Sequence, residues 1–186
     1  MDLFEFILII TSVIYAMGVA QILSGISRLA QADTGVRWFF PHTMWLVILF
    51  IYIFLVWWSA WEFRDLEWNF PAYLYMVIAP TLTYFACSLL VPQKTDGADV
   101  NLEEHFFHIR RPFLGSLALA TVAAVLDGSV LKDEPLWFPG RIGHVLLIAT
   151  MLLGLCTSNK RVHASVAVLV MLALMYIAVS RLWNPR

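Results

Sequence analysis

Apolar residues in this chain come in long unbroken runs, not in the alternation of a half-buried strand or the narrow stripe of a soluble helix. Six runs stand out, over residues 3–27, 38–61, 70–91, 112–131, 137–157 and 162–182. Each approaches the roughly 20 residues a helix needs to cross a hydrocarbon layer about 30 Å thick. Backbone N–H and C=O groups find no partner in hydrocarbon, so each run must pair them internally and is predicted to be α-helical. Charges and prolines bound the runs. Arg28 ends the first, Glu62 and Arg64 the second, and Pro92 the third. Arg141 falls in the first turn of the fifth run, where its long stem can carry the guanidinium to the interface.

Composition agrees with the pattern. The chain is 61% hydrophobic and 13% charged, with a mean hydropathy of +0.77, against about 45–50% and about 25% for a soluble domain. The expected fold class is an all-α integral membrane protein: one polytopic domain over residues 1–186, a bundle of about six transmembrane helices. Trp38, Trp57, Trp58, Trp61, Trp68, Trp137 and Trp183 fall near the ends of the runs, as an aromatic belt at the headgroups would. The lipid bilayer is thus the first expected partner. A net charge of −1 offers no surface for nucleic acid. The N-terminal MDLFEFILII opens with acids rather than a basic region and reads as a retained span. Lys and Arg are denser in the first, third and fifth loops, which predicts both termini outside in a plasma or bacterial inner membrane.

One stretch departs from the apolar pattern. LEEHFFHIRR, residues 102–111, places acids at its start and Arg110 and Arg111 at its end, in the order the helix dipole favours. Asn101 with Glu104 three residues on matches an N-cap. Leu102, Phe106, Ile109 and Phe113 form an apolar stripe. The segment is predicted to be an interfacial helix lying apolar face down on the membrane, with Pro112 kinking the chain into the next span.

The two halves of the chain resemble each other faintly. WFFPHTMWLVIL at 38–49 parallels WFPGRIGHVLLI at 137–148, and ILSG at 22–25 parallels VLDG at 125–128. Small residues recur every fourth position at Ser12, Ala16, Ala20 and Ser24, and again at Ser116, Ala120, Ala124 and Gly128. Such rows let membrane helices approach closely. Together these suggest a 3+3 inverted repeat, an architecture of transporters and channels with the site near the repeat interface.

Polar residues inside spans are the first candidates for function. Asp127, at the end of the fourth run, leads, with Gln21, Glu62 and His144 as further pathway candidates. Glu5, Arg64, Arg141 and Arg181 fall on the same side and read more simply as span ends reaching one interface. His105 and His108 stand one helical turn apart, Glu104 stands one turn from His108, and the three form a candidate metal set. His42 and His163 each open a span and offer a bis-histidine haem pair. Cys87 and Cys156 show no CxxC spacing and read as free thiols. No P-loop, GxGxxG, HExxH or GxSxG pattern occurs, so an enzyme is the less favoured reading. The leading expectation is a channel or secondary transporter for an ion or small solute. The alternatives are a membrane scaffold or accessory subunit, as a homo-oligomer or within a larger complex, and a haem- or metal-binding redox protein.

Overall fold

The structure is a computed structural model that describes residues 2–32, 35–92, 99–132, 134–136 and 141–182. Expectations for Trp137 and Trp183 fall outside these residues, as does the side chain of Arg181. Seven helices follow in order: α1 (Leu3–Ala30), α2 (Phe40–Ser59), α3 (Phe70–Met76), α4 (Ile78–Leu90), α5 (Leu102–Leu131), α6 (Ile142–Cys156) and α7 (Lys160–Leu182). A 3-10 turn over Ala60–Phe63 extends α2. Two short strands, β1 (Val36–Arg37) and β2 (Val100–Asn101), pair in parallel.

Local sequence accounts for the helix starts. Asp2 accepts from the Glu5 amide while the Glu5 carboxylate takes the Asp2 amide, a reciprocal cap that begins α1. Asn69 accepts from Ala72 at the start of α3, and Asn101 from Glu104 at the start of α5. Pro41 and Pro71 sit in the first turns of α2 and α3, where a missing N–H costs nothing.

The fold is an all-α bundle whose outer surface is as greasy as its core. Ile9, Val13 and Met17 on α1, Phe54 and Trp58 on α2, and Leu169, Leu172 and Tyr176 on α7 are all exposed. A helix in water turns polar residues outward; these helices turn out leucine, phenylalanine and valine, so their outer faces suit hydrocarbon. Among the described residues five segments are long and apolar enough to cross a membrane: α1, α2 with its 3-10 turn, α3 with α4, α5 and α7. The described part of α6, with 15 residues, is about 22 Å long, short of a full crossing.

The structure corrects several expectations. The third run is not one helix. Pro80 has no N–H to give the Met76 carbonyl, and the chain breaks at Val77 between α3 and α4. The segment 102–111 is no separate interfacial helix. It is the first third of α5, which continues through Pro112. The proline lies on the outer, exposed side, so the disturbed turn costs no packing. The stripe Leu102, Phe106, Ile109 and Phe113 is buried against protein rather than lipid. Phe106 meets Phe39 at 5.7 Å and His163 at 5.2 Å, and Phe113 meets Trp45 at 5.2 Å, edge to face. At 30 residues, α5 is about 45 Å long, so about 15 Å extends beyond a ~30 Å core. Its Glu104, His108 and Arg111 are exposed.

The packing face of α1 also differs from the expected one. Ala16, Ala20 and Ser24 are exposed, while Thr11, Tyr15, Gly18, Ile22 and Gly25 are buried. At Gly25 a Cβ would collide with Val91, and at Gly18 it would stand 3.3 Å from Ile53 Cδ1 and 3.5 Å from Cys87 Sγ. Glycine, not the alanine row, lets α1 approach α4. On α5 the expected row does face inward at Ser116 and Ala120. Helix contacts differ between the halves: α1 packs mainly on α4 and less on α2, whereas α5 packs heavily on both α4 and α6.

Candidate functional site

Three of the four pathway candidates meet in one cavity. A space of about 160 Å³ opens between the ends of α2, α5, α6 and α7, and Asp127, Glu62 and His144 all line it. The helix directions explain the meeting. The C-terminal ends of α2 and α5 and the N-terminal end of α6 fall at one end of the bundle, which is also where α1 begins and α7 ends. Gln21 lies about two turns deeper along α1 than Thr11 and Tyr15 and lines neither this cavity nor the smaller one beside it.

The cavity carries both charges. Arg141 is buried, at 5% exposure, and donates through one guanidinium nitrogen to Ser129 Oγ at 2.9 Å and the Leu136 carbonyl at 2.8 Å. Its other terminal nitrogen stands 3.9 Å from Glu134 Oε2. Gly128 makes room for that pair: a Cβ there would collide with the Glu134 carboxylate and come within 3.2 Å of the guanidinium. Lys132 lies over the Phe63 ring at 4.4 Å, and its ammonium acts on the Asp127 carboxylate. So Arg141 is held by structure, while Asp127 faces open space.

Tyrosines from three other elements surround Asp127. Tyr15 on α1, Tyr52 on α2 and Tyr75 on α3 all lie within electrostatic reach of its carboxylate. The Tyr75 hydroxyl donates to the Ala123 carbonyl at 2.8 Å, tying α3 to α5 one turn before Asp127. Tyr52 stands beside the hydroxyls of Thr83 and Thr121. Those two donate to the Ala79 and Leu117 carbonyls, each at 2.8 Å, and so keep their lone pairs for other partners. Sequence reasoning missed all three tyrosines. The available signal was phenols inside apolar runs, where each needs a polar neighbour, but all six tyrosines of the chain share it.

A second cavity of about 30 Å³ lies on the other side of Asp127, lined by Thr11, Tyr15, Ser59, Met76 and Pro80 among others. Asp127 lines both spaces. Beyond this polar layer the bundle closes: Trp45, Leu49, Phe106, Phe113 and Leu117 are almost completely buried.

The expected metal set does not assemble. Glu104 and His108 are exposed, while His105 turns inward and hydrogen-bonds the Leu90 carbonyl at 3.2 Å. Among the described residues no three His, Cys, Asp or Glu side chains gather as a metal site. The haem pair is likewise engaged by backbone. His42 Nε2 meets the Leu90 carbonyl at 2.9 Å, and His163 Nε2 meets the Thr157 carbonyl at 3.1 Å. No protein-family model, no curated protein and no solved structure matches this chain.

Proposed function

We propose that this protein is a small secondary transporter for an ion or small solute, with its pathway entering the cavity at Asp127. One observation carries the reading: an ionisable side chain inside a predominantly apolar bundle faces two adjacent cavities. Burying a carboxylate among apolar helices is costly and is worth retaining where the group meets a passing solute or ion. The cavity that reaches Asp127 lies at one end of the bundle, and a packed aromatic core lies beyond it, which fits alternating access better than an open pore. Glu62 and His144 line the approach. With Arg28, Arg37, Arg110, Arg111, Lys160 and Arg161 at the other end of the bundle, that end is cytoplasmic, and both termini and the cavity mouth face outward. The 15-residue α6 completes a sixth crossing by thinning the bilayer locally.

The test is flux in proteoliposomes under an imposed ion gradient, with protons and common cations each followed in turn. Wild type is expected to collapse at least one gradient, and Asp127→Asn to slow it at least tenfold. Absence of any flux, or an Asp127→Asn variant matching wild type, rejects transport through this site.

A further inference from the structure

We propose that the helix break between α3 and α4, together with Asp127, forms a binding site for one monovalent cation of sodium size. The proposal rests on the transport reading only for what the cation does, since binding itself is independent of it.

The smaller cavity beside Asp127 offers lone pairs and few protons. Thr11 Oγ has its proton committed to the Ile7 and Leu8 carbonyls, both at 3.1 Å, and Ser59 Oγ donates to the Val56 carbonyl at 2.7 Å. Each hydroxyl therefore presents only lone pairs elsewhere. Trp57 also lines the cavity, but its N–H is spent on Ser12 Oγ at 2.7 Å. The Tyr15 phenol can rotate its proton aside and face the cavity with its oxygen. Pro80 lines the same space and leaves the Met76 carbonyl without its helical donor, and Met76 lines it too. The residues that border this one small volume thus have among them a carboxylate, a freed carbonyl and three hydroxyl oxygens. That set of hard oxygen ligands suits an alkali cation. A single carboxylate matches a single positive charge, and among the described residues no second acid lines this space. Divalent ions favour sites richer in carboxylate. A volume of about 30 Å³ holds one small ion and little water. The position lies about 10 Å in from the bundle end, judging from Thr11 on α1 and Met76 on α3. Broken helices that point unpaired carbonyls at a buried ion are a recurring device in membrane transport.

The test uses the full chain in detergent at constant ionic strength, with sodium chloride exchanged for potassium or choline chloride. Tryptophan fluorescence follows thermal unfolding, and Trp57 at the cavity wall reports occupancy. The expected result is a Tm that rises with the logarithm of sodium concentration, less with potassium and not with choline. Asp127→Asn should abolish the rise. Thr11→Val, which removes one oxygen at nearly constant shape, should weaken apparent sodium affinity about tenfold. If Asp127→Asn does not fold, Thr11→Val and Ser59→Ala carry the comparison. A wild-type Tm indifferent to sodium, or a sodium response unchanged in the variants, overturns the site. A response to pH alone gives Asp127 to protons and overturns it equally. Sodium binding without flux would reject the transport reading and keep the site; flux without sodium binding would do the reverse.

Discussion

His42 on α2 and His105 on α5 hydrogen-bond one and the same carbonyl, that of Leu90, at 2.9 and 3.2 Å. Their rings meet edge to face with centroids 5.9 Å apart. Leu90 is the last residue of α4, and its carbonyl has no helical N–H beyond it. A carbonyl only accepts, so Nε2 carries the proton in both rings, and the two lone pairs take one donor each. The histidines are the C-terminal cap of α4, and through it they lock three helices together.

Removing them should cost stability unequally. His42 is fully buried, so His42→Ala loses a hydrogen bond and leaves a cavity, about 2–4 kcal/mol. His105→Ala, half-buried and leaving Leu90 its other donor, should cost about 1 kcal/mol. His42→Gln places an amide N–H near the Nε2 position and should recover part of the loss. Unfolding of the solubilised protein by denaturant, followed by helical circular dichroism, ranks the three. Equal losses for His42→Ala and His105→Ala would contradict the shared cap.

Glycine contacts on α1 make a sharper distinction than composition does. Gly25→Val drives a branched side chain into Val91 and should destabilise by about 1–3 kcal/mol, with Val91→Ala restoring much of it. Ala20→Val, five residues earlier on the exposed face, should fall within about 0.5 kcal/mol of wild type. Equal effects at both positions would place the α1–α4 interface elsewhere.

That contrast also shows where sequence was readable. Run lengths located the helices because hydrocarbon forbids unpaired backbone, and every described run is indeed helical. They say nothing of rotation. Ile9, Met17 and Leu23 face out while Ile7, Tyr15 and Ile22 face in, so α1 has no polar face to mark its outside. The stripe Leu102-Phe106-Ile109-Phe113 was correctly seen as one face, but the same stripe fits lipid or protein. Only the partners Phe39, Trp45 and His163 decide between them. Asp127, Glu62 and His144 were legible as polar interruptions near span ends. The smaller cavity beside Asp127 was not, because Pro80 sits inside an apolar run and its effect on Met76 is a backbone matter.

Arg141 should tolerate no conservative exchange. It spans Ser129, Leu136 and Glu134 with its two terminal nitrogens, a reach that the single ammonium of lysine cannot copy. Arg141→Lys and Arg141→Met should both loosen the segment between α5 and α6, costing about 1–3 kcal/mol, discounted because Glu134 is 44% exposed. Gly128→Ala should act similarly by pushing Glu134 away. Limited proteolysis between residues 132 and 141 reads the effect directly: faster cleavage than wild type is expected in all three variants, and unchanged cleavage would remove Arg141 as the tether.

The two cysteines give the orientation a chemical test. Cys87 is fully buried beside Gly18, whereas Cys156 is exposed at the end of α6 opposite the cavity mouth. With no disulfide between them, each reports its own surroundings. A membrane-impermeant maleimide should leave Cys87 unmodified until the protein is unfolded. It should modify Cys156 in inside-out vesicles and not in intact cells, because the proposed orientation puts the end of the bundle that carries Arg110, Arg111, Lys160 and Arg161 in the cytoplasm. Cys156→Ser removes the label and serves as the control. Modification from the outer side of intact cells would reverse the proposed orientation, and with it the side to which the Asp127 cavity opens.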